Sequence, residues 1–202
     1  MTKRYDQTYF EKWYRGPNRI GTEAEVRRKV MMAVSVAEFF LRRPIRSVLD
    51  VGCGEGAWFT PLRELRPRVS YAGLESSEYA VATFGRARNI RRGSIGELTA
   101  LHTGRRYDLI VCADVLHYVN DRDVRHGIAA MSRLSRGLLY LEVLTAEDDI
   151  IGDLQEFVRR PSRWYRQIFA RNGLTFVGPY CWLAPELRGS TAELEGSSAV
   201  TA

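Results

Sequence analysis

Apolar positions follow two rhythms along the chain. Val26, Val30, Val34, Ala37 and Leu41 recur at helical spacing, widened by Met31, Phe39 and Phe40. That stripe predicts an amphipathic helix. Thr22 and Glu25 form a capping box at its start, and Pro44 stops it after about Arg42. Continuous apolar runs then take over. Arg46–Val51, Val69–Glu75, Asn89–Arg92, Tyr107–Cys112 and Gly137–Leu144 read as strands. Runs without polar alternation suit strands buried on both faces of a parallel sheet. Helices fill the intervals: Ala57–Arg66, Glu78–Arg86 and Asp121–Leu134, the last with Val124, Ile128, Met131 and Leu134 on one face. A further helix over Ser162–Asn172 closes at Asn172-Gly173, and two short strands, Leu174–Gly178 and Cys181–Ala184, follow. Pro179-Tyr180 between them is too short for a parallel crossover, so that pair is antiparallel.

This alternation predicts an α/β fold with a doubly wound, mostly parallel sheet and ligands at the carboxyl ends of its strands. Residues 22–185 form the principal domain. Residues 1–21 carry an aromatic run, in which Tyr5, Tyr9 and Trp13, and Phe10 and Tyr14, fall at helical spacing. Gly16-Pro17-Asn18 breaks it. Such a segment packs on the domain, covers its ligand as a lid, or does both. Residues 186–202 are poor in apolar mass and read as a disordered tail.

Composition adds limits. No apolar stretch approaches the roughly 20 residues of a membrane span, and the polar N-terminus does not read as a signal peptide. Cys53, Cys112 and Cys181 are odd in number and lack metal-ligand spacing, which suits reduced, buried thiols in a cytoplasmic protein. Net charge is +6, from 27 arginines and 3 lysines against 24 acids. The arginines are scattered as pairs rather than gathered in a stripe with aromatics, so nucleic acid is not favoured as a partner. The surplus lends weak support to an anionic substrate.

The densest chemistry lies at SVLDVGCGEG, Ser47–Gly56. A buried strand ends at Asp50-Val51, and three alternating glycines lead into a helix. Glycines let the turn take positive φ and let a ligand approach the backbone. An acid also closes the second strand, Glu75, 25 residues after Asp50. The fourth strand runs into its turn as YDLIVCADVLHYV, Tyr107–Val119.

Together these three segments resemble the class I, seven-strand, Rossmann-like S-adenosylmethionine-dependent methyltransferases of small-molecule type, over roughly residues 26–184. The resemblance implies a sheet of order 3-2-1-4-5-7-6 with the last strand antiparallel. It implies S-adenosylmethionine as cofactor and S-adenosylhomocysteine as product. It places Gly52, Cys53 and Gly54 along the amino-acid half of the cofactor, Asp50 toward its ammonium, and Glu75, with Ser76 beside it, at the ribose hydroxyls. Ser94 and Ile95 take the adenine position, where the family usually has an acid. Asp114 and Val115 pack the adenosine and begin the substrate pocket. No metal is implied. A dehydrogenase would use the same glycines, but the place of Asp50 and the fourth-strand segment argue against it.

Methyl transfer from a sulfonium is an in-line displacement, so alignment supplies much of the catalysis. A base is required only for a protonated acceptor. His117, in the loop where the pocket opens, is the candidate base, with loop positioning or substrate binding without proton transfer as the alternative, and Tyr118 and Glu142 are secondary candidates. Tyr9, Trp13, Tyr14, Tyr118 and Glu142 are candidates for binding the acceptor. The 148–165 region, with Trp164, Tyr165, Arg159, Arg160 and Arg163, is a further candidate, and Trp164 and Tyr165 suit the core equally well. His102 and His126 read as surface residues. The leading expectation is O- or N-methylation of a small molecule. The alternatives are an RNA or protein methyltransferase and a catalytically silent cofactor-binding regulator.

Overall fold

The computed structural model describes residues 3–15, 21–101, 104–150 and 152–192. The break expected at residues 16–18, His102 and residues 193–202 lie outside them. Asp6 caps a short helix, α1 (Gln7–Phe10), through the Tyr9 amide, and the chain continues as a wider π turn over Glu11–Arg15. In α2 (Glu23–Leu41) the capping box is present in full, because the Thr22 hydroxyl accepts from Glu25 N and Glu25 accepts from Thr22 N. The elements that follow are β1 (Ser47–Val51), α3 (Phe59–Leu65), β2 (Ser70–Glu75), α4 (Glu78–Arg88), β3 (Ile90–Arg92) and α5 (Leu98–Leu101). Then come β4 (Tyr107–Ala113), α6 (Asp121–Leu134), β5 (Ser135–Glu142), α7 (Ser162–Arg171), β6 (Thr175–Gly178) and β7 (Cys181–Leu183).

The seven strands lie in the order β3-β2-β1-β4-β5-β7-β6. The pairs from β3 to β5 are parallel, and β7 runs antiparallel to both β5 and β6. Fold class and strand order are those expected from the sequence. Alternation within β4 divides the core. Leu109 and Val111 face Val30, Val34 and Ala37 of α2 and Leu62 of α3. Ile110 and Cys112 face Val124, Ile128 and Met131 of α6 and Ile168 and Phe169 of α7. Both layers exclude water from the sheet, which is why its strands lack polar alternation.

Three boundaries moved for identifiable reasons. The helix expected from Ala57 begins at Phe59, since the glycine turn extends through Ala57 and Trp58. Pro61 therefore stands in the first turn, where no partner for its missing N–H is needed. β5 starts at Ser135 rather than Gly137 and ends at Glu142 rather than Leu144. A register shift against β4 absorbs its start, and at its end the Leu144 amide donates to His117 Nδ1 instead of a strand. Residues 186–190, expected within the tail, are structured instead. Pro185–Ser190 forms a 3-10 turn, with Leu187 packed on the α2 layer and Glu186 paired with Arg106. Proline at the first position and one apolar anchor suffice to order the turn.

At the N-terminal end of β4, Asp108 is fully buried. Its carboxylate accepts from both terminal nitrogens of Arg43, from Arg46 N and from Arg136 Nε, at 2.6–3.1 Å. These partners outweigh the opposing effect of burial and hold its carboxyl down at about 2. The three cysteines are free and buried, and burial raises every thiol, Cys181 to about 11.

Candidate active site

The carboxyl ends of β1, β2 and β4 open on a cavity of about 670 Å³. Its floor is the turn after β1. Gly52 and Gly54 hold φ of +69° and +55°, and Gly52 N and Cys53 N both donate to Leu74 O at the end of β2. A Cβ on Gly52 would come within 2.5 Å of Val115 Cγ2, and one on Gly54 within 2.7 Å of the Tyr14 hydroxyl. Val115 and the Tyr14 hydroxyl thus pack directly against the two glycines, and Gly52 leaves no room for a side chain.

Two buried carboxylates flank this turn. Asp50 closes β1 at 2% exposure, and its Oδ2 accepts from the Tyr71 hydroxyl at 2.8 Å. Burial pushes the Asp50 carboxyl up to about 7. The Tyr71 bond opposes the rise, and the charge of Glu75 adds to it. Glu75 closes β2. Its Oε2 accepts from Gly54 N at 2.7 Å, and its Oε1 from Ser77 N at 2.8 Å and the Ser76 hydroxyl at 3.2 Å. A carboxylate offers about four acceptor positions, so one stays open and the rotatable Ser76 hydroxyl can release another. Ser94 opens the next turn. Its amide and hydroxyl both donate to Glu97 Oε2 in a capping box in which the hydroxyl oxygen also faces Glu97 N, so one of its two lone pairs remains to accept.

The N-terminal segment forms the opposite wall. Tyr5 O accepts from the Ser77 hydroxyl, Arg15 pairs with Glu55, and Phe10 is buried against Tyr14 and Tyr79. Lys3 is buried and pairs with Asp153 at 2.6 Å, with its Nζ 3.5 Å from the centre of the Tyr118 ring. The Tyr118 hydroxyl donates to Asp153 O. Desolvation, with Asp114 and Asp153 nearby, raises the Tyr118 phenol well above its ordinary value.

All ten residues assigned to the cofactor by resemblance line this cavity: Asp50, Gly52, Cys53, Gly54, Glu75, Ser76, Ser94, Ile95, Asp114 and Val115. So do the five acceptor candidates, Tyr9, Trp13, Tyr14, Tyr118 and Glu142. Glu142 is paired, accepting from Lys29 Nζ at 2.7 Å and from the Tyr140 hydroxyl at 3.0 Å.

His117 is not on the wall. It is fully buried beneath the loop and stacked on Phe157. Nδ1 accepts from Leu144 N, and Nε2 lies 3.3 Å from Asp114 Oδ1 without the alignment of a hydrogen bond. Expected as a base, His117 is instead sealed behind Asp114 away from the cavity wall, and its Nδ1 bond to Leu144 N ties the loop after β4 to the segment after β5.

Among the described residues of the 148–165 region, only Asp149 reaches the cavity. Arg160 is buried on Asp121, Leu116 O and Val119 O, Tyr165 is core, and Arg159 and Arg163 are exposed. His126 is exposed, as expected. Lys29 and Tyr5 were not singled out from the sequence. Tyr5 had a signal in the aromatic run, whereas the Lys29–Glu142 pair spans 113 positions and leaves no local trace.

Fold and site together define a seven-strand nucleotide-type α/β domain with an acid at the end of each of its first two strands. Residues 5–177 match the family model described as a methyltransferase domain. The chain belongs to that family, whose methyl donor is S-adenosylmethionine. Among solved structures, the chain is similar to the S-adenosylmethionine-bound amino pentose methyltransferase CalS10 from Micromonospora echinaspora. Identity is 17%, TM-score 0.62, with 91% of this chain and 98% of that one covered. It is also similar to magnesium protoporphyrin IX methyltransferase from Synechocystis PCC 6803, at 17% identity and TM-score 0.55, covering 89% of each. With an O-methyltransferase family protein from Burkholderia thailandensis the figures are 18% and 0.52, and the chain spans 57% of that protein's length. No curated protein matches the chain.

Proposed function

We propose that this protein transfers the methyl group of S-adenosylmethionine to oxygen or nitrogen of a small-molecule acceptor. The observation that carries the reading is the pair of buried carboxylates, Asp50 and Glu75, on either side of a turn whose glycines hold positive φ. These residues fit the cofactor. Asp50 receives its ammonium, Glu75 its ribose hydroxyls, and the Gly52–Gly54 backbone its amino-acid half. Ser94 and Ile95 border the adenine, with the Ser94 oxygen as acceptor for the exocyclic amine. When bound, the cofactor supplies an electrophilic methyl on a good leaving group. The chain's part is then to bind, align and exclude water. Residues 3–15 act as the lid, pinned at Lys3, Tyr5 and Arg15. The cavity lies within the range of small-molecule sites and is also lined by Tyr9, Trp13 and Tyr118.

The test is a transfer assay with methyl-labelled S-adenosylmethionine, purified protein and an extract of the source cells, resolved into low-mass, RNA and protein fractions. Label is expected in the low-mass pool. Label in RNA or protein would replace the acceptor assignment. S-adenosylhomocysteine binding without label in any fraction would favour the silent regulator.

Asp50 makes the binding step pH-dependent. The cationic ammonium prefers the ionised carboxylate, so binding releases the proton that Asp50 carries below about 7. Affinity for S-adenosylhomocysteine should therefore rise about tenfold from pH 6 to pH 8. Asp50→Asn should weaken binding and flatten the profile. Calorimetry in buffers of different ionisation heat reads the released proton directly, and a pH-independent wild type would remove Asp50 from this role.

A further inference from the structure

The cavity differs in charge from the protein that surrounds it. The chain carries +6, yet among the described residues the wall holds seven carboxylates, a single lysine and no arginine. Asp50 and Glu75 belong to the cofactor half, Glu25 is engaged with Thr22, and Asp123 lies beside Gly96 below the adenine turn. Asp114 directly follows β4, Glu142 ends β5 and Asp149 lies in the loop after β5, and these three cavity carboxylates remain for an acceptor. Lys29 is cancelled there by Glu142 at 2.7 Å. An anionic acceptor would meet no free cation among these side chains.

Asp114 is built to face this space. Its φ of +62° is a backbone conformation that Asp and Asn tolerate better than most residues, and its amide is tied to Glu142 O at 3.0 Å. Behind it stands His117, fully buried. Because His117 Nδ1 accepts a hydrogen bond, the ring hydrogen resides on Nε2, which has no hydrogen-bond partner of its own and lies 3.3 Å from Asp114 Oδ1. One face of the same wall already holds an ammonium. Lys3 Nζ sits over Tyr118 and within 5.3 Å of the centres of Tyr5 and Tyr9, with its charge balanced by Asp153.

We propose that the acceptor is an amine that arrives as an ammonium ion, held by Asp114 against the aromatic wall of Tyr9, Trp13 and Tyr118. The proposal rests on the methyltransferase reading of the same cavity and names its substrate class. Asp114 takes one N–H proton and frees the nitrogen lone pair. The nitrogen then bonds to the donor's methyl carbon, the carbon–sulfur electron pair stays on sulfur, and the positive charge lost by sulfur appears on nitrogen. A cavity wall of carboxylates and ring faces stabilises that charge as it forms.

Three probes of nearly equal size and different charge test this: benzylammonium, benzyl alcohol and benzoate. Each is titrated by calorimetry into the free protein and into protein saturated with S-adenosylhomocysteine. Benzylammonium should bind with a Kd about tenfold or more below the other two. In Asp114→Asn, which keeps shape and the positive-φ backbone, that preference should shrink to about threefold or less. Equal or tighter binding of benzoate or benzyl alcohol, no saturable benzylammonium binding, or a preference unchanged in Asp114→Asn would overturn the proposal. Failure of S-adenosylhomocysteine to bind would instead remove the methyltransferase reading, and the probe series on free protein would still report the sign of the cavity.

Discussion

Glu75→Ala should raise the dissociation constant for S-adenosylhomocysteine about a hundredfold or more. Glu75 is 6% exposed, and its carboxylate ties Gly54 N and Ser77 N across the mouth of the β1 turn. Two ribose hydroxyls donating to a carboxylate make charge-assisted bonds of about 1.5–3 kcal/mol each. Losing both costs about 3 kcal/mol or more, which is two decades in affinity. The alanine also strands two backbone amides, so part of the loss comes from a loosened turn. Glu75→Gln separates the contributions. It keeps one acceptor oxygen for the turn but surrenders the charge, and should fall between wild type and alanine. Calorimetry with thermal melts of each variant reads both effects. An unchanged Kd in the alanine variant, with the fold intact, would sink the ribose assignment.

Asp108→Ala should be the most damaging single change to stability, at about 3 kcal/mol or more by urea unfolding. The carboxylate is fully buried, and its removal leaves Arg43, Arg136 and the Arg46 amide without their shared acceptor. Both arginine side chains are 30% or more exposed and can turn to water, which keeps the loss near the lower end. The sign with pH follows from the folded value of about 2, below the ordinary 3.8. The contribution is complete above about pH 4 and disappears as pH falls through about 2. Wild type should therefore lose stability toward acid more steeply than the variant over that window. Parallel acid profiles would refute the assignment. The site is at the far end of β4 from the cavity, so cofactor affinity should hold wherever the variant stays folded.

Much of this architecture was legible before any coordinates. Thr22 and Glu25 announced α2, unbroken apolar runs announced strands covered on both faces, and Pro179-Tyr180 forced β7 to reverse. The cofactor half was equally legible, since Asp50, Gly52, Gly54 and Glu75 lie at ends of predictable strands and a strand end fixes where its last side chain is presented. Errors gathered where local rules compete with distant contacts. The start of α3 depended on how far the positive-φ turn extends, and the end of β5 on a hydrogen bond from Leu144 to a histidine 27 residues away.

His117 shows the limit most clearly. Its residue type and its loop suggested a base, but burial is a property of the assembled chain, and Phe157 and Leu144 close over it. Net charge says as little about the cavity. Arginine dominates the sequence, whereas the cavity gathers carboxylates from α2, β1, β2, the turn after β4, α6 and β5. The sequence by itself determined the order of elements, the sheet topology and the strand-end residues that frame the cavity, because periodicity, caps and glycine turns act over a few residues. Only the tertiary structure decided which groups face the acceptor and with what charge. That outcome depends on pairs such as Lys29–Glu142 and Lys3–Asp153, 113 and 150 positions apart, which meet only when the layers close.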